Sequence, residues 1–221
     1  MENDISYEVK RVSETKAGLS AVLSPVGSDE EIILLFRPSY WKDEDLKIGD
    51  VVDSSEFERL NTLASLSKAI ARAQGMLANS DYSRARLVQR LLHYDLERDI
   101  CEQAADYMIE KGYIREKEQT ERITRFFCKS NHWGKKRIAA ELMGRGYDRK
   151  IIMKSLDIIS DDEYYQSLMR LIEKKYPEPA EDQHEREKRI AALSRMGYST
   201  AEILRALAEA EELYTEALEI E

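Results

Sequence analysis

The stretch "GRGYDRKIIMKSL", residues 144–156, returns in altered form as "RMGYSTAEILRAL", residues 195–207. Gly146-Tyr147 and Gly197-Tyr198 are 51 residues apart (197 − 146), as are Leu142 and Leu193, and Leu156 and Leu207. The same shift reaches an earlier segment. "SRARLVQRLLHYDLERDI" (83–100), "GKKRIAAELMGRGYDRKI" (134–151) and "EREKRIAALSRMGYSTAE" (185–202) superimpose, with Leu91, Leu142 and Leu193 in one slot and Asp95, Gly146 and Gly197 in another. A period of this length carries about three helices, the mark of a tandem helical array.

The chemistry of the repeated dipeptide explains its recurrence. A glycine just past a helix end takes up the left-handed conformation without a Cβ clash and closes the last turn. The tyrosine after it folds back as the apolar contact of that cap. Asp148 and Ser199 then stand as N-caps of the following helix, and Ser199 with Glu202 has capping-box spacing. Asp95 replaces glycine in the first unit, which predicts a different corner there.

Working outward, the chain from Ser55 to residue 213 reads as helix. Ser55 and Glu58 in "SEFE" have capping-box spacing, and Leu60, Leu63, Ile70, Ala73 and Leu77 follow a helical stripe that stops near Asn79-Ser80-Asp81. Further helices are predicted over 83–94, 97–111, 117–130, 134–144, 148–159, 162–176, 185–196 and 199–213. "YPEPAED" (176–182) is a linker, because two prolines in three residues cannot continue a helix. Residues 1–53 read differently. "ISYEVKRV" alternates at Ile5, Tyr7 and Val9, "SAVLSP" and "IILLF" (32–36) flank the turn-like "VGSDE", and "LKIGDVV" (46–52) has the look of a short strand. The expected architecture is mainly α: an elongated, curved array of three three-helix repeats behind a small N-terminal β-rich extension. The expected divisions are 1–53 for the extension, 54–114, 115–160 and 161–213 for the repeats, and 214–221 for an acidic tail.

Composition sets limits. The 221 residues carry a net charge of −9, so bulk charge does not advertise nucleic-acid binding and any such contact needs a local patch. Cys101 and Cys128 lie in apolar helical contexts without a Cys-x-x-Cys, which predicts two buried, reduced thiols. No run approaches the length of a membrane span and "MENDISYEVK" has no apolar signal core, so a cytoplasmic protein away from membranes is expected.

Residues with catalytic or metal-binding chemistry are few and scattered. His93, His132 and His184 are scattered, and Cys128 with His132 makes at most two ligands where a metal site needs three or four. Asp161-Asp162-Glu163 begins a helix, where acids favour the dipole. No nucleophile elbow or phosphate loop is present. Neither an enzyme nor a cofactor or metal is expected.

The basic residues say more. The repeat superimposes Arg84, Lys135 and Arg186, and also Arg86, Arg137 and Lys188. These fall near the start of the second helix of each unit, where cations oppose the helix dipole. A helix start with added cations and unbonded amides suits phosphate or carboxylate. Lys136, Arg149 and Lys150 add to the central cluster, and Trp133 beside it could stack on or anchor a partner. The last residues, "EAEELYTEALEIE" (209–221), invert this charge. Tyr82, Tyr94, Tyr107, Tyr113 and Tyr147 read as core or corner packing.

With these residues in place, the chain resembles RecX, the bacterial regulatory protein that acts on the RecA recombinase. "FF…HWGKKRIAAELMGRGYDRKIIMKSL" looks like the family's central repeat, through Phe126-Phe127, Gly134, Arg137-Ile138, Glu141-Leu142, Gly146 and the Ile151 to Leu156 spacing. Ser83, Leu87, Leu91 and "MIEKGYI" (108–114) resemble its opening repeat, and "RIAALSRMGYSTAEILRAL" (189–207) its terminal one. The likeness covers about residues 65–207, and the β-rich extension is similar to that of longer family members. "GYIREKEQ" departs by placing Arg115 and Glu116 where the family commonly has an aspartate, and Arg84 stands near a usually acidic slot. The resemblance implies a curved, monomeric array lying in the groove of a RecA–DNA filament, bridging protomers and restraining ATP hydrolysis and strand exchange. DNA contact without RecA would be weak and without sequence preference. The alternative is a free-standing helix-turn-helix DNA-binding regulator.

Overall fold

The structure is a computed structural model and describes residues 5–15, 18–41 and 46–220. The chain divides into two compact units, Met1–Ile114 and Arg115–Glu221.

In the first unit, four strands form an antiparallel sheet of order β3-β2-β1-β4. They are β1 (Tyr7–Thr15), β2 (Gly18–Pro25), β3 (Ile32–Phe36) and β4 (Val51–Val52), with the one-turn helix α1 (Pro38–Trp41) between the last two. Apolar alternation selects one face: Val9, Ala21, Leu23, Leu34, Phe36 and Val52 are buried together with Leu60 and Ala64 of α2 (Ser54–Leu77). The alternation begins at Tyr7, which stacks on Phe57 at 3.8 Å between centroids, and leaves Ile5 exposed. Of "LKIGDVV" only Val51 and Val52 pair, against Glu8 and Tyr7.

At 24 residues, α2 spans about 36 Å and serves two cores. Its second half, with Ile70 and Ala73, packs on α3 (Arg84–Leu92) and α4 (Arg98–Glu110) through Leu87, Leu91, Ile100, Ala104 and Met108. The expected Ser55–Glu58 capping box does not form. Asp53 caps the helix instead, accepting from the Glu56 amide at 2.8 Å. The strand exit at Val52 leaves Asp53 extended, so it is already placed to cap, and Ser55 falls inside the first turn.

The second unit holds α5 (Glu116–Asn131), α6 (Lys135–Gly144) and α7 (Arg149–Leu156), followed by α8 (Asp161–Lys175), α9 (Gln183–Arg195) and α10 (Thr200–Ile220). Ile123, Phe127, Ile138, Leu142, Tyr147, Ile152 and Leu156 make one core, and Leu168, Ile172, Leu193, Tyr198, Ile203 and Leu207 make the next. Three groups of three helices therefore follow the β-rich segment, as the 51-residue period requires. Cys101 and Cys128 are buried free thiols.

The corners follow the glycine argument. Gly146 has φ 81° and Gly197 φ 97°. Gly146 donates to Met143 O and Tyr147 to Leu142 O, the paired bonds that close a left-handed helix cap. Both tyrosines are buried. Ser199 and Glu202 form their reciprocal cap, and Asp148 accepts from the Lys150 amide. At the first corner Asp95 has φ 54°, so its backbone takes the left-handed slot like its glycine counterparts. A short polar side chain makes that conformation tolerable. The corner differs as expected in its cap: Glu97, in the slot of Asp148 and Ser199, makes no side-chain cap hydrogen bond. The helix expected to stop at 213 runs on through Ile220, so the acidic end is helical. Tyr82 and Tyr107 pack against the core as expected, whereas Tyr94 and Tyr113 stay substantially exposed.

Candidate partner-binding surface

The first register-equivalent set of cations, Arg84, Lys135 and Arg186, is already engaged by carboxylates. Arg84 makes a two-pronged pair with Asp106 of α4, at 2.6 and 3.0 Å. Lys135 pairs with Asp161 at the start of α8 and stands 5.0 Å over the Tyr164 ring. Arg186 meets Glu211 of α10 at 3.7 Å. The Arg84 guanidinium and the Lys135 ammonium hold the Asp106 and Asp161 carboxyls below the usual range. All three pairs are at least partly solvated, where such a bond contributes about 0–1 kcal/mol. They are weak enough to be exchanged for another anion.

The position of each cation on its helix also matters. Arg84 and Lys135 are the first residues of α3 and α6, and Arg86 and Arg137 the third. In the third repeat α9 begins earlier, at Gln183, because Asp182 caps it by accepting from Glu185 at 2.7 Å. Arg186 and Lys188 therefore sit beyond the reach of the dipole argument that places the others. The unbonded amides expected at these helix starts are also spoken for in the centre. The Lys136 amide donates to Gly197 O at 3.3 Å and the Arg137 amide to Gly134 O at 3.2 Å.

Trp133 is not a vacant stacking platform. Phe127 lies parallel to it at 4.2 Å between centroids, and the Arg137 guanidinium lies 4.0 Å from its ring centre. Two groups that close to one ring occupy opposite faces. Arg137 also reaches Arg195 O at 3.4 Å and the Met196 sulfur at 2.9 Å, so it ties α6 to the end of α9. Trp133 and Arg137 thus have partners within the protein already.

Arg86, Lys136, Arg149, Lys150 and Lys188 remain exposed. Among the described residues no carboxylate pairs with them. Arg149 and Lys150 open α7, where Asp148 supplies the cap. Asp148 adjoins Arg149 and Lys150 in sequence and Glu185 stands one turn before Lys188, yet neither closes an ion pair with them.

A polar group of residues far apart in sequence assembles between α5 and α8. Ser167 donates its hydroxyl proton to Cys128 O at 2.7 Å and meets His132 Nδ1 at 3.0 Å. The serine has only one proton, so His132 must donate from Nδ1. His132 itself is in the left-handed conformation, φ 52°, and its carbonyl accepts from the Tyr198 hydroxyl at 3.1 Å. Burial, and then Lys174 and Arg170, push the His132 pKa down, and burial pushes those of Cys128, Tyr164 and Tyr198 up. Every member is held in its neutral form, which suits a structural joint. Among the described residues no cluster of three or more His, Cys, Asp or Glu could hold a metal ion.

Arg189 is a further residue that composition did not single out. It is buried, donates to Glu178 O at 2.6 Å and to Glu185 at 2.5 Å, and so fastens the proline linker onto α9. The Glu185–Arg189 spacing of four was the available signal. Among the described residues no helix is long and apolar enough to cross a membrane.

Comparison with known proteins places this geometry. Residues 161–207 match the RecX third three-helix domain. Regulatory protein RecX of Clostridioides difficile (strain 630) is 24% identical over 131 residues, which take in 59% of this chain and 61% of that protein. The match thus spans under two thirds of the relative's length. Among solved structures, a crystal structure of regulatory protein RecX superimposes with TM-score 0.71 at 14% identity, over 92% of this chain and 99% of that one. The structure of RecX from Lactobacillus salivarius gives TM-score 0.59 at 20% identity, over 66% and 97%. The likeness to RecX read from the repeats is therefore found again in the third repeat, in a regulatory relative and in the fold.

Proposed function

We propose that this chain regulates the RecA recombinase, mainly as an inhibitor, by lying in the groove of the RecA–DNA filament and restraining ATP hydrolysis and strand exchange. The observation that carries the reading is the set of cations that close no ion pair among the described residues, Lys136, Arg149 and Lys150 foremost, exposed on consecutive helix starts of a chain whose net charge is −9. A negative protein that keeps such a set without pairing it has a use for local positive charge. Arg84, Lys135 and Arg186 recur at one period with weak, exchangeable partners, which suits a target that is itself repetitive. Phosphate contacts of this kind give affinity without sequence preference. The protein would act as a monomer in the cytoplasm, where such filaments form.

The test is RecA-dependent ATP hydrolysis on single-stranded DNA, with and without the protein. Hydrolysis should fall as the protein is added, and less so as salt rises. An unchanged rate at saturating protein would overturn the reading.

A further inference from the structure

β3 is a five-residue strand, Ile32-Ile33-Leu34-Leu35-Phe36, apolar throughout, and it forms an outer edge of the sheet. Leu34 and Phe36 point into the core, while Ile33 and Leu35 on the other face are 60% and 59% exposed. Among the described residues, Ile33 and Leu35 make no hydrogen bond beyond the ladder to β2. Folded proteins blunt an edge of this kind with charge, proline, a bulge or a covering element, because it templates further pairing. β3 carries none of the first three within its length.

Alongside this edge runs a groove of about 640 Å³, between β3 and the outer side of α2. Its lining includes Arg37, Lys68 and Arg72 and not one carboxylate, in a chain with more acids than bases. Among the described residues none of the three cations meets an acid. Arg37 donates to Gln74 at 2.9 Å, and Arg72 lies 4.1 Å over the Tyr94 ring.

We propose that the β3 edge is a docking site for an extended acidic peptide of a partner protein, added as a fifth strand. Side chains of an added strand alternate. One set would lie beside Ile33 and Leu35, and the other would face Lys68 and Arg72 in the groove. The recognised segment therefore alternates apolar residues with Asp or Glu. A nucleic acid matches the cations but has no amides to continue the ladder and nothing to cover Ile33 and Leu35. A second copy of this chain matches the edge but brings Lys68 and Arg72 against their own kind. This site is separate from the helix starts invoked above, and its test does not involve RecA.

The experiment uses the full chain and a fluorescein-labelled hexapeptide of alternating valine and glutamate, read by fluorescence anisotropy. Binding should be saturable and weaken about tenfold or more in Lys68→Glu/Arg72→Glu, whose side chains are exposed. Two further peptides, N-methylated on the odd or on the even residues, separate an added strand from a charge patch. Only alternate amides of a strand face its neighbour, so one peptide should bind like the parent and the other should lose about tenfold or more. Equal behaviour of the two methylated peptides would overturn the proposal. So would equal displacement of the peptide by oligothymidylate of matching charge, which would assign the groove to nucleic acid. A dimer in sedimentation that Leu35→Lys abolishes would assign the edge to a second copy and would also defeat it.

Discussion

Gly134 and Gly197 pack backbone against backbone: a Cβ on Gly134 would begin 2.6 Å from the Gly197 carbonyl, and one on Gly197 would begin 2.5 Å from the Arg137 amide nitrogen. Gly134 donates to Met196 O at 2.8 Å and Lys136 donates to Gly197 O, so the start of α6 is bonded to the corner between α9 and α10. The repeated glycine thus has two duties at its last occurrence. It turns the chain, and it lets a neighbouring repeat approach to backbone contact.

Substitution separates those duties. Gly134 has φ −77°, an ordinary value for any residue, so Gly134→Ala carries no conformational strain. By its effect on the unfolded chain alone it should stabilise by about 0.4–1 kcal/mol. We expect a net loss instead, because the new Cβ meets rigid backbone. Gly197→Ala should lose more than the ~1–2 kcal/mol of a left-handed residue, since collision adds to strain. Thermal melts of both variants decide it, and a Gly134→Ala protein as stable as the parent would refute the contact.

His132 predicts a pH dependence of known sign. Its folded pKa lies below the ordinary 6.5, so the unfolded chain binds a proton at a pH where the folded one does not. Stability from this group is complete above 6.5 and falls as pH drops through that value, levelling off once the lowered folded pKa is passed. Asparagine tolerates the left-handed backbone, so His132→Asn should fold and show a flatter profile. Urea midpoints between about pH 7.5 and pH 5 measure the difference. Parallel profiles for the two proteins would rule the histidine out.

At the start of α2 the two cap candidates give opposite expectations. Asp53→Ala should cost about 1 kcal/mol, and Ser55→Ala close to nothing. Because α2 packs on both the sheet and α3–α4, the loss should appear in one cooperative transition of the first unit. Equal effects of the two changes would return the cap to Ser55.

The surviving basic set offers a clean charge reversal. Lys136→Glu, Arg149→Glu and Lys150→Glu place acids in first turns, each favourable by about 0.3–1 kcal/mol when exposed. Helicity should be kept and inhibition of RecA ATPase should be mostly lost. Lys135→Glu is a poorer probe, because it sets a carboxylate against Asp161. Arg137→Glu strips one face of Trp133. A folded triple variant with parental potency would show that this surface is only solvated.

What the sequence made readable was whatever depends on neighbours a few residues away. The corner at Gly146-Tyr147-Asp148 and the cap at Ser199 and Glu202 are local chemistry, repeated at a fixed shift, so two copies confirm each other. Asp95 shares the backbone of its glycine counterparts because residue type biases a conformation without deciding it, while the missing side-chain cap at Glu97 sets that corner apart. The cations were visible but their partners were not. Arg84 reaches 22 residues on, Lys135 26 and Arg186 25, so the 51-residue register does not carry one pairing into the next. Ser167, His132 and Tyr198 likewise meet only once the helices have packed.

The bond between Gly197 and the start of α6 has a consequence during synthesis. The Lys136 amide is translated 61 residues (197 − 136) before the carbonyl that receives it exists. At about 5–20 residues per second, a nascent chain holds that helix end open for several seconds. The central repeat is therefore finished by the last one, and a ribosome stalled before residue 197 would carry a second repeat with an unsealed helix, available to chaperones and proteases.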